Sequence, residues 1–294
     1  MLLTQIALNA LALGSAYALV AIGFVLVLNA TTAVNFAHGE GVVAGGFAAV
    51  ALAILLPPDI PIPGLLLLPG VLLVTALLGL AIGALAYLPI RKRPPISVFV
   101  STIAVGIIIA NGLNATFGAA PRTAPPLIGV GTIEFLGASL SRQSLAIIGI
   151  TAILMSGLAM VLQRTQLGRQ FRACAQDPEM ARALGIRLTR ITMISFALGT
   201  AFAGAAGLLL AHQFFISPSD GGTLILKAYI AVVIGGWGSL RGAAAGAMLI
   251  AFFEVGVATF SSQPLAEGLL YIAVLLVLFF RPQGLFGEPQ QVRV

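Results

Sequence analysis

Three polar side chains, Asn35, His38 and Glu40, interrupt an otherwise apolar stretch of the chain. A charged group at the depth of a lipid bilayer is costly, so it faces a cavity or a partner. Gly39 and Gly41 beside them allow close backbone packing or a break in a helix. A helix that begins after this break would aim its free N–H groups at the cluster and favour a carboxylate there. We predict that this cluster lines a substrate pathway; the alternative is a structural hydrogen-bond cluster at a helix end.

Two further carboxylates, Glu254 and Glu267, lie in or near the last two apolar segments. A buried carboxylate must be paired or protonated, because an isolated charge is unstable away from water. We include Glu254 in the predicted pathway, while the simpler expectation for both groups is structural pairing with Ser, Thr or backbone groups. Asp220 precedes Gly221 and Gly222 and is expected to cap the helix that follows.

The sequence contains none of the residue patterns typical of an enzyme active site. It has no His/Cys spacing typical of metal sites, no Gly-x-Ser-x-Gly elbow and no Gly-x4-Gly-Lys-Ser/Thr phosphate loop. Its one cysteine, Cys174, excludes an internal disulfide. We therefore expect no catalytic residue, metal or cofactor in this chain. If ATP drives its activity, another chain must bind the ATP.

The polar segment 164–190 carries signals for a short helix of its own. Asp177 is a good N-cap, Pro178 suits the first helical position and Gly185 can end the helix. The pattern predicts a helix over 178–184, about 10 Å long. Such a helix is too short to be stable alone in water, so other parts of the protein must hold it.

The sides of this predicted helix differ in character. Met180, Ala183 and Leu184 share one side by their i, i+3 and i+4 spacing. Glu179 and Arg182 point elsewhere. Two interpretations remain open: the helix is a docking site for another protein, or it lies on the membrane surface and only caps the helices beneath it.

The composition shows what surrounds these residues. Of the 294 residues, 59% are hydrophobic and 8% are charged, and the mean hydropathy is +1.08. A soluble domain carries about 25% charged residues. This chain cannot build a water-facing surface, which excludes a soluble enzyme, a DNA-binding module and a disordered protein. The composition predicts an all-α, polytopic transmembrane helical bundle, to which the segment 164–190 adds a short helix on the cytoplasmic side.

Nine apolar segments are candidates for membrane helices. They cover residues 3–28, 41–56, 65–90, 96–117, 144–162, 191–212, 224–238, 242–260 and 265–280. Three of them, 41–56, 224–238 and 265–280, are short for a full crossing and can be tilted or be half-helices. We predict eight to ten spans in a single domain that covers residues 1–294.

Most basic residues collect on one side if the nine segments alternate across the membrane. Twelve of the 15 Lys and Arg residues fall between the third and fourth segments, within 164–190, after the seventh segment or after the last. The positive-inside bias makes this side cytoplasmic and places the C-terminus inside. The segments 57–63 and 118–143 are then external connectors, and Lys227 lies at a segment end. The formal charge of +6 follows from these loops and does not indicate nucleic acid.

Residues 179–185, Glu-Met-Ala-Arg-Ala-Leu-Gly, resemble the coupling loop through which ABC importer permeases dock onto their ATPase subunits, with Met180 where that loop has Ala. Five other segments are similar to the branched-chain amino acid family of these permeases. They are residues 14–23, 35–40, 167–177, 235–242 and 281–287. Because the segments run along nearly the whole chain, it resembles the H-type membrane subunit of a high-affinity branched-chain amino acid ABC importer.

The resemblance implies a transport subunit without its own ATPase site that moves Leu, Ile or Val by alternating access. The partners it implies are a second homologous permease subunit, two ATP-binding cassette subunits and a periplasmic or extracellular amino acid-binding protein. The setting is the lipid bilayer of a bacterial or archaeal cytoplasmic membrane. The residues implied in ATPase coupling are Asp177, Glu179, Met180, Ala181, Arg182, Leu184 and Gly185.

Three alternatives remain open from the sequence. Permeases for urea or short amides resemble the same family. An ion-coupled secondary amino acid transporter would use His38, Glu40 or the carboxylates of the last two segments as ion sites. A passive channel for a small polar solute would need neither ATP nor an ion gradient.

Overall fold

The computed structural model describes residues 2–55, 63–135, 138–281 and 284. Most of the expected connector 57–63, and the basic residue Arg293, lie outside these described residues. The helices within them are α1 (Leu2–Thr31), α2 (His38–Ile54), α3 (Leu68–Ile82), α4 (Pro95–Phe117), α5 (Arg142–Arg164), α6 (Gln166–Gln176), α7 (Pro178–Ala183), α8 (Leu188–Ala211), α9 (Gly221–Gly235), α10 (Leu240–Phe260) and α11 (Gln263–Phe280).

Two short helical turns and one β-hairpin complete the described structure. A 3-10 turn (Gly64–Leu67) precedes α3, and a π-helical turn (Gly83–Tyr87) extends it. Strands β1 (Thr132–Phe135) and β2 (Ala138–Ser141) pair in an antiparallel hairpin. This hairpin lies within the expected connector 118–143 and is a small β addition to the predicted all-α architecture.

Each of the nine predicted apolar segments forms a helix, which confirms the polytopic helical bundle. Helices are favoured because a chain in lipid must satisfy its backbone N–H and C=O groups internally. Seven helices in the described residues are long and apolar enough to cross a membrane, and α2 and α9 are apolar but shorter. One expected length is wrong: α11 has 18 residues and is among the seven, so segment 265–280 is not too short for a crossing.

The bundle has two distinct ends. The hairpin end holds β1 and β2, where the Gln5 amide donates to the Ser139 carbonyl oxygen at 2.9 Å. The basic end holds α6 and α7, and there the Arg91 guanidinium donates to the Thr189 hydroxyl at 2.6 Å. Gly284 packs against the last turn of α9, so the described end of the chain is also at the basic end.

Two helices, α1 and α8, occupy the centre of the bundle and run in opposite directions. Almost every side chain of α1 beyond its first two turns is buried. The two helices cross where Gly23 meets Gly199: a Cβ added at Gly23 would lie 2.5 Å from the carbonyl oxygen of Gly199. Small residues at such crossings let two backbones approach closely in a membrane, where apolar burial does not drive helices together.

The remaining helices pack around this centre in two groups. α10 packs against α1 and α9, and α11 packs on α10. α2 and α3 pack against α8. The outer surface of the bundle is apolar and exposed, as a lipid-facing surface must be. Exposed side chains on it include Leu73, Ile108, Ile153 and Phe279.

The two short helices begin inside the bundle. The His38 ring nitrogen Nε2 lies 2.9 Å from the carbonyl oxygen of Val20, and α1 continues from there for about 16 Å to its end at Thr31. Gly39 packs on α9: a Cβ added to it would lie 2.0 Å from the carbonyl oxygen of Gly221. The first turns of α2 and α9 therefore meet. From this point α2 runs to the hairpin end and α9 to the basic end.

Candidate functional site

A cavity of about 620 Å³ opens near the hairpin end. Segments of α1, α2, α8, α9, α10 and α11 and of the loop between α8 and α9 form its walls. Most of this wall is apolar. Its apolar side chains include Leu13, Val42, Leu210, Phe214, Ile216 and Leu224. The polar part of the wall is a compact group centred on Lys227.

Lys227 is the centre of a buried ionic cluster. It lies about 9 Å along α9, and its ammonium is 2.7 Å from Glu254 Oε1 on α10 and 3.0 Å from Glu267 Oε1 on α11. It also donates to the Tyr17 hydroxyl on α1 at 3.0 Å. The ammonium thus contacts an oxygen atom on each of three different helices, through two hydrogen bonds and one further ion pair. Lys227 and Glu254 are 6% and 2% exposed, so this pair lies in the interior.

Glu254, like Lys227, has three partners in the cluster. Besides Lys227, its carboxylate accepts from the Tyr17 hydroxyl at 3.2 Å and from the side-chain amide of Gln263. Buried charges are stable when paired and fully hydrogen-bonded, and Glu254 meets both conditions. The expectation that Glu254 and Glu267 pair with Ser, Thr or backbone groups is wrong, because both bind Lys227.

The sequence reasoning missed Lys227. It was expected at a segment end, whereas it lies within α9 and faces α1 and α10. A signal was present: Lys227 stands in an apolar run, and a cation there needs an acidic partner. Glu254 and Glu267 are the acids that the last two segments supply. Two unpaired acids and one unpaired base in neighbouring spans indicate an ion pair.

The structure places the first predicted cluster apart from this cavity. Asn35, His38, Gly39 and Glu40 do not line it, whereas Glu254 does. His38 is completely buried and binds Val20, as described above. The Asn35 side-chain oxygen accepts from the Ala37 N–H at 3.1 Å and so shapes the turn before α2. The break also falls earlier than expected, because α2 begins at His38.

Glu40 lies against the first turn of α9. A Cβ added at Gly221 would be 2.1 Å from Glu40 Oε1, so this carboxylate lies directly on the glycine. A carboxylate beside a helix N-terminus is favourable, because the helix dipole is positive there. Glu40 therefore lies at the meeting point of α2 and α9. Its part in a substrate pathway, together with His38, stays a prediction.

Asp220 does not cap α9 in the way that was expected. It occupies the position before the helix, but its carboxylate accepts from the Ser217 N–H at 2.7 Å instead of from the first turn of α9. The expected cap is wrong because the carboxylate instead closes the preceding turn. Asp220 lines the cavity and adds a third carboxylate to its wall.

The second predicted site is α7 at the basic end. Asp177 caps it, since one carboxylate oxygen accepts from the N–H groups of Glu179 and Met180 at 2.9 Å each. Gly185 follows the helix with φ +81°, a left-handed conformation that favours glycine at a helix C-terminus. The predicted helix is confirmed. It ends at Ala183, one residue earlier than expected.

The orientation of α7 separates an anchor from an exposed side. Ala181 is buried and packs into the hydrophobic core. Met180 and Leu184 are 59% and 74% exposed, and Ala183 is exposed beside them. The two charged side chains, Glu179 and Arg182, are exposed as well. Ala181 therefore holds the helix in place, while the side chains of Glu179, Met180, Arg182 and Leu184 are exposed.

A second cavity, of about 990 Å³, lies beside α7 at the basic end. Its wall includes the cations Arg91, Lys92, Arg182, Arg187 and Arg190. Cys174 also lies in this wall, and burial raises the pKa of its thiol. In the described part of the chain, no group of three or more His, Cys, Asp or Glu side chains is arranged to hold a metal ion.

Comparison with known proteins connects these features to a family. Residues 6–279 match the family model described as the branched-chain amino acid transport system / permease component. The chain is 32% identical to the high-affinity branched-chain amino acid transport system permease protein BraD of Pseudomonas aeruginosa, over 97% of this chain and 96% of that protein. It is 32% identical to the permease protein LivH of Salmonella typhimurium, over the same shares of both chains.

A more distant relative is archaeal. The chain is 28% identical to the probable branched-chain amino acid transport permease protein LivH of Methanocaldococcus jannaschii, over 92% of this chain and 88% of that protein. The family match extends from the first turns of α1 to the end of α11, so it includes both the cavity and α7. With its multiple membrane-spanning helices and these relatives, the chain belongs to the branched-chain amino acid transport system permease family.

Proposed function

We propose that this chain is the membrane permease subunit of an ATP-driven importer that translocates Leu, Ile and Val by alternating access. The observation that carries the proposal is the orientation of α7. A helix too short to be stable alone is capped at both ends, anchored through Ala181, and presents Met180 and Leu184 to the surroundings. Exposed apolar side chains on a rigid support are typical of a docking surface.

The proposed function implies one orientation of the bundle in the membrane. The basic end faces the cytoplasm of a bacterial or archaeal cell, because basic loops are retained on that side. The described end of the chain, at Gly284, then lies inside as well. The hairpin end and its cavity face the outside, where an external amino acid-binding protein delivers the substrate.

The proposed partners supply the ATP binding for which the sequence has no phosphate-loop motif. Two ATP-binding cassette subunits bind and hydrolyse the ATP, and one of them docks on α7. A second, homologous permease subunit completes the membrane part. The printed names of the relatives describe permease proteins of branched-chain amino acid transport systems, which supports this substrate class.

Coupling is proposed to pass from α7 to the central helix α8. Only residues 184–187 separate the two helices, and the Ile186 N–H donates to the Ala181 carbonyl oxygen at 3.0 Å, which keeps this connection compact. A displacement of α7 by a closing ATPase dimer is therefore transmitted to α8. Because α8 packs along α1, α2 and α3, its movement changes the packing at the centre of the bundle.

The test is leucine uptake into proteoliposomes that contain the complete transporter and its binding protein. Glu179→Arg reverses the charge at an exposed position where the ATPase is proposed to dock, and we expect uptake to fall to background while the protein still inserts. Binding to the ATPase subunits is measured beside uptake for both variants, and Glu134→Arg, on the hairpin at the opposite end, is the matched control that keeps this binding normal. Normal uptake by the Glu179→Arg variant would contradict the coupling role.

A second arm separates the energy sources. The chain alone is reconstituted without ATP, under a proton or sodium gradient. We expect no leucine uptake, because the energy is proposed to come from partner ATPases. Gradient-driven uptake would overturn the proposal in favour of an ion-coupled carrier. Competition by urea and short amides in the complete system tests the substrate class, and we expect none.

A further inference from the structure

We propose that the cavity at the hairpin end binds the zwitterionic head of an amino acid by exchange with the Lys227–Glu267 ion pair. The substrate carboxylate takes the place of Glu267 on the Lys227 ammonium, and the substrate ammonium binds the freed Glu267 carboxylate. The inference rests on the proposed function, because it names a binding site for the same transported class.

The two carboxylates around Lys227 are not equivalent. Glu254 is 2% exposed and accepts from Lys227, Tyr17 and Gln263, so it is enclosed by donors. The Glu267 side chain is 32% exposed, and Lys227 is the partner it pairs with. Glu254 is therefore the fixed counter-ion of Lys227, and Glu267 is the carboxylate that a ligand in the cavity can displace.

The exchange conserves charge pairing. Lys227 donates hydrogen bonds to Tyr17 and Glu254 and forms a further ion pair with Glu267 at 3.0 Å, so a new anion reaches the ammonium by taking the place of Glu267. When Glu267 leaves, it needs a cation, and the substrate ammonium supplies one. One ion pair is replaced by two, and no buried charge is left without a partner. Such charge-assisted hydrogen bonds are the strong ones in a water-poor site.

The rest of the cavity suits an apolar side chain. Leu210, Phe214 and Leu224 are among the side chains of its wall, and the volume of about 620 Å³ is in the range of small-molecule sites. A pocket of this kind combines an apolar wall with a few convergent polar groups that fix orientation. An amino acid with an aliphatic side chain suits this cavity, because its side chain can pack on the apolar wall while its charged head binds the polar groups.

The charges of the wall select against other ligands. The wall carries the ammonium of Lys227 and three carboxylates, those of Asp220, Glu254 and Glu267. An anion without an ammonium group would displace Glu267 and leave its charge unpaired. A neutral amide has no charge to compensate either member of the pair. The cavity therefore discriminates in favour of zwitterions, and against urea and short amides.

The test measures how leucine protects a cysteine at the cavity wall. The transporter complex is studied in nanodiscs without its binding protein, so that the specificity of that protein does not contribute. Cys174, the one cysteine of this chain, is replaced by Ala, and Thr259→Cys introduces a thiol in the wall of the cavity. The rate at which a membrane-impermeant maleimide labels this chain is followed with increasing leucine.

We expect leucine to slow the labelling. Leucic acid, in which a hydroxyl replaces the ammonium, should need at least about tenfold higher concentration for half-protection, because it lacks one charge-assisted hydrogen bond. Glu267→Gln should weaken leucine protection by a similar factor. Glu134→Gln, a matched change outside the cavity, should leave it unchanged. A cysteine at Thr116, which does not line the cavity, should label at the same rate with and without leucine.

Two results would overturn the inference: leucine fails to slow labelling at Thr259→Cys, or leucic acid protects as well as leucine. The comparison of these two ligands does not depend on how the Glu267→Gln variant folds. ATP-dependent leucine uptake by the same complex with its binding protein is measured in parallel. Uptake without protection rejects the cavity site alone, whereas loss of all ATP-dependent uptake rejects the proposed function.

Discussion

The ammonium of Lys227 lies 2.7 Å from a carboxylate oxygen of Glu254, and both groups are buried in the interior of a membrane protein. The two residues come from adjacent helices, α9 and α10, that run in opposite directions. Because neither charge is stable there without the other, the pair fixes the relative position of the two helices. Tyr17 extends this connection to the central helix α1.

The first prediction concerns this pair. Lys227→Met leaves the Glu254 carboxylate buried without its counter-ion, and we expect the free energy of unfolding to fall by about 3–5 kcal/mol. The double variant Lys227→Met/Glu254→Gln removes both charges and should recover most of that loss. Unfolding of the purified protein in mixed micelles measures both. Equal stability of the single and double variants would show that the charges are not coupled.

A second prediction concerns the crossing of α1 and α8. In Gly199→Ala the new methyl group would lie 2.6 Å from the carbonyl oxygen of Gly23, so the helices must separate. Such overpacking should cost about 1–3 kcal/mol of unfolding free energy. Gly112→Ala, on the exposed side of α4, meets no atom within 4 Å and is the matched control. It should stabilise the protein slightly, because Ala favours a helix by about 0.5–1 kcal/mol over Gly.

The third prediction tests the cap of α7. Asp177→Ala removes the acceptor for the Glu179 and Met180 N–H groups, which should destabilise the short helix by about 1 kcal/mol. We expect fewer leucine molecules transported per ATP hydrolysed, with normal insertion. Asp177→Asn keeps a capping oxygen, so its leucine transport per ATP should stay close to that of the unmodified protein. Equal leucine transport per ATP by the Asn and Ala variants would show that the capping hydrogen bonds do not explain the role of Asp177.

The fourth prediction tests the exposed side of α7. Leu184→Glu places a charge on the proposed docking surface, and we expect the dissociation constant for the ATPase subunit to rise about 30-fold, as for loss of an interface residue worth about 2 kcal/mol. Val130→Glu, at a comparably exposed apolar position near the hairpin end, is the control. Binding to immobilised ATPase subunits measures both variants. An unchanged dissociation constant for Leu184→Glu would show that α7 is not part of the interface with the ATPase.

Local chemistry explains why α7 could be predicted from the sequence. Its start depends on Asp177 and Pro178, and its end on Gly185, all within eight residues of one another. Capping preferences act at this range and are independent of the rest of the fold. The long apolar helices were predictable for a similar reason, since hydrocarbon excludes any spanning backbone that is not hydrogen-bonded internally.

The cavity could not be predicted in the same way. Lys227 and Glu254 belong to different helices, and their contact depends on how α9 and α10 pack. The residues of the polar cluster at His38 are adjacent in the sequence, and this adjacency indicated a site. The fold places the cluster in the interior, outside the lining of the cavity. Pairing between distant charges is a property of the packed bundle, whereas periodicity reports only which segments are helical.

The hydrogen bonds and ion pairs of Lys227 tie α9 to α1, α10 and α11, whereas α8 packs against α2 and α3. Along the seam between these two blocks, glycine faces glycine: Gly23 meets Gly199, and Gly39 meets Gly221. Backbones without side chains cannot interlock, so the seam permits shear more readily than a boundary of interdigitating side chains. Since α7 connects directly to α8, a displacement of α7 by the proposed ATPase partner would act first on the block of α8, α2 and α3.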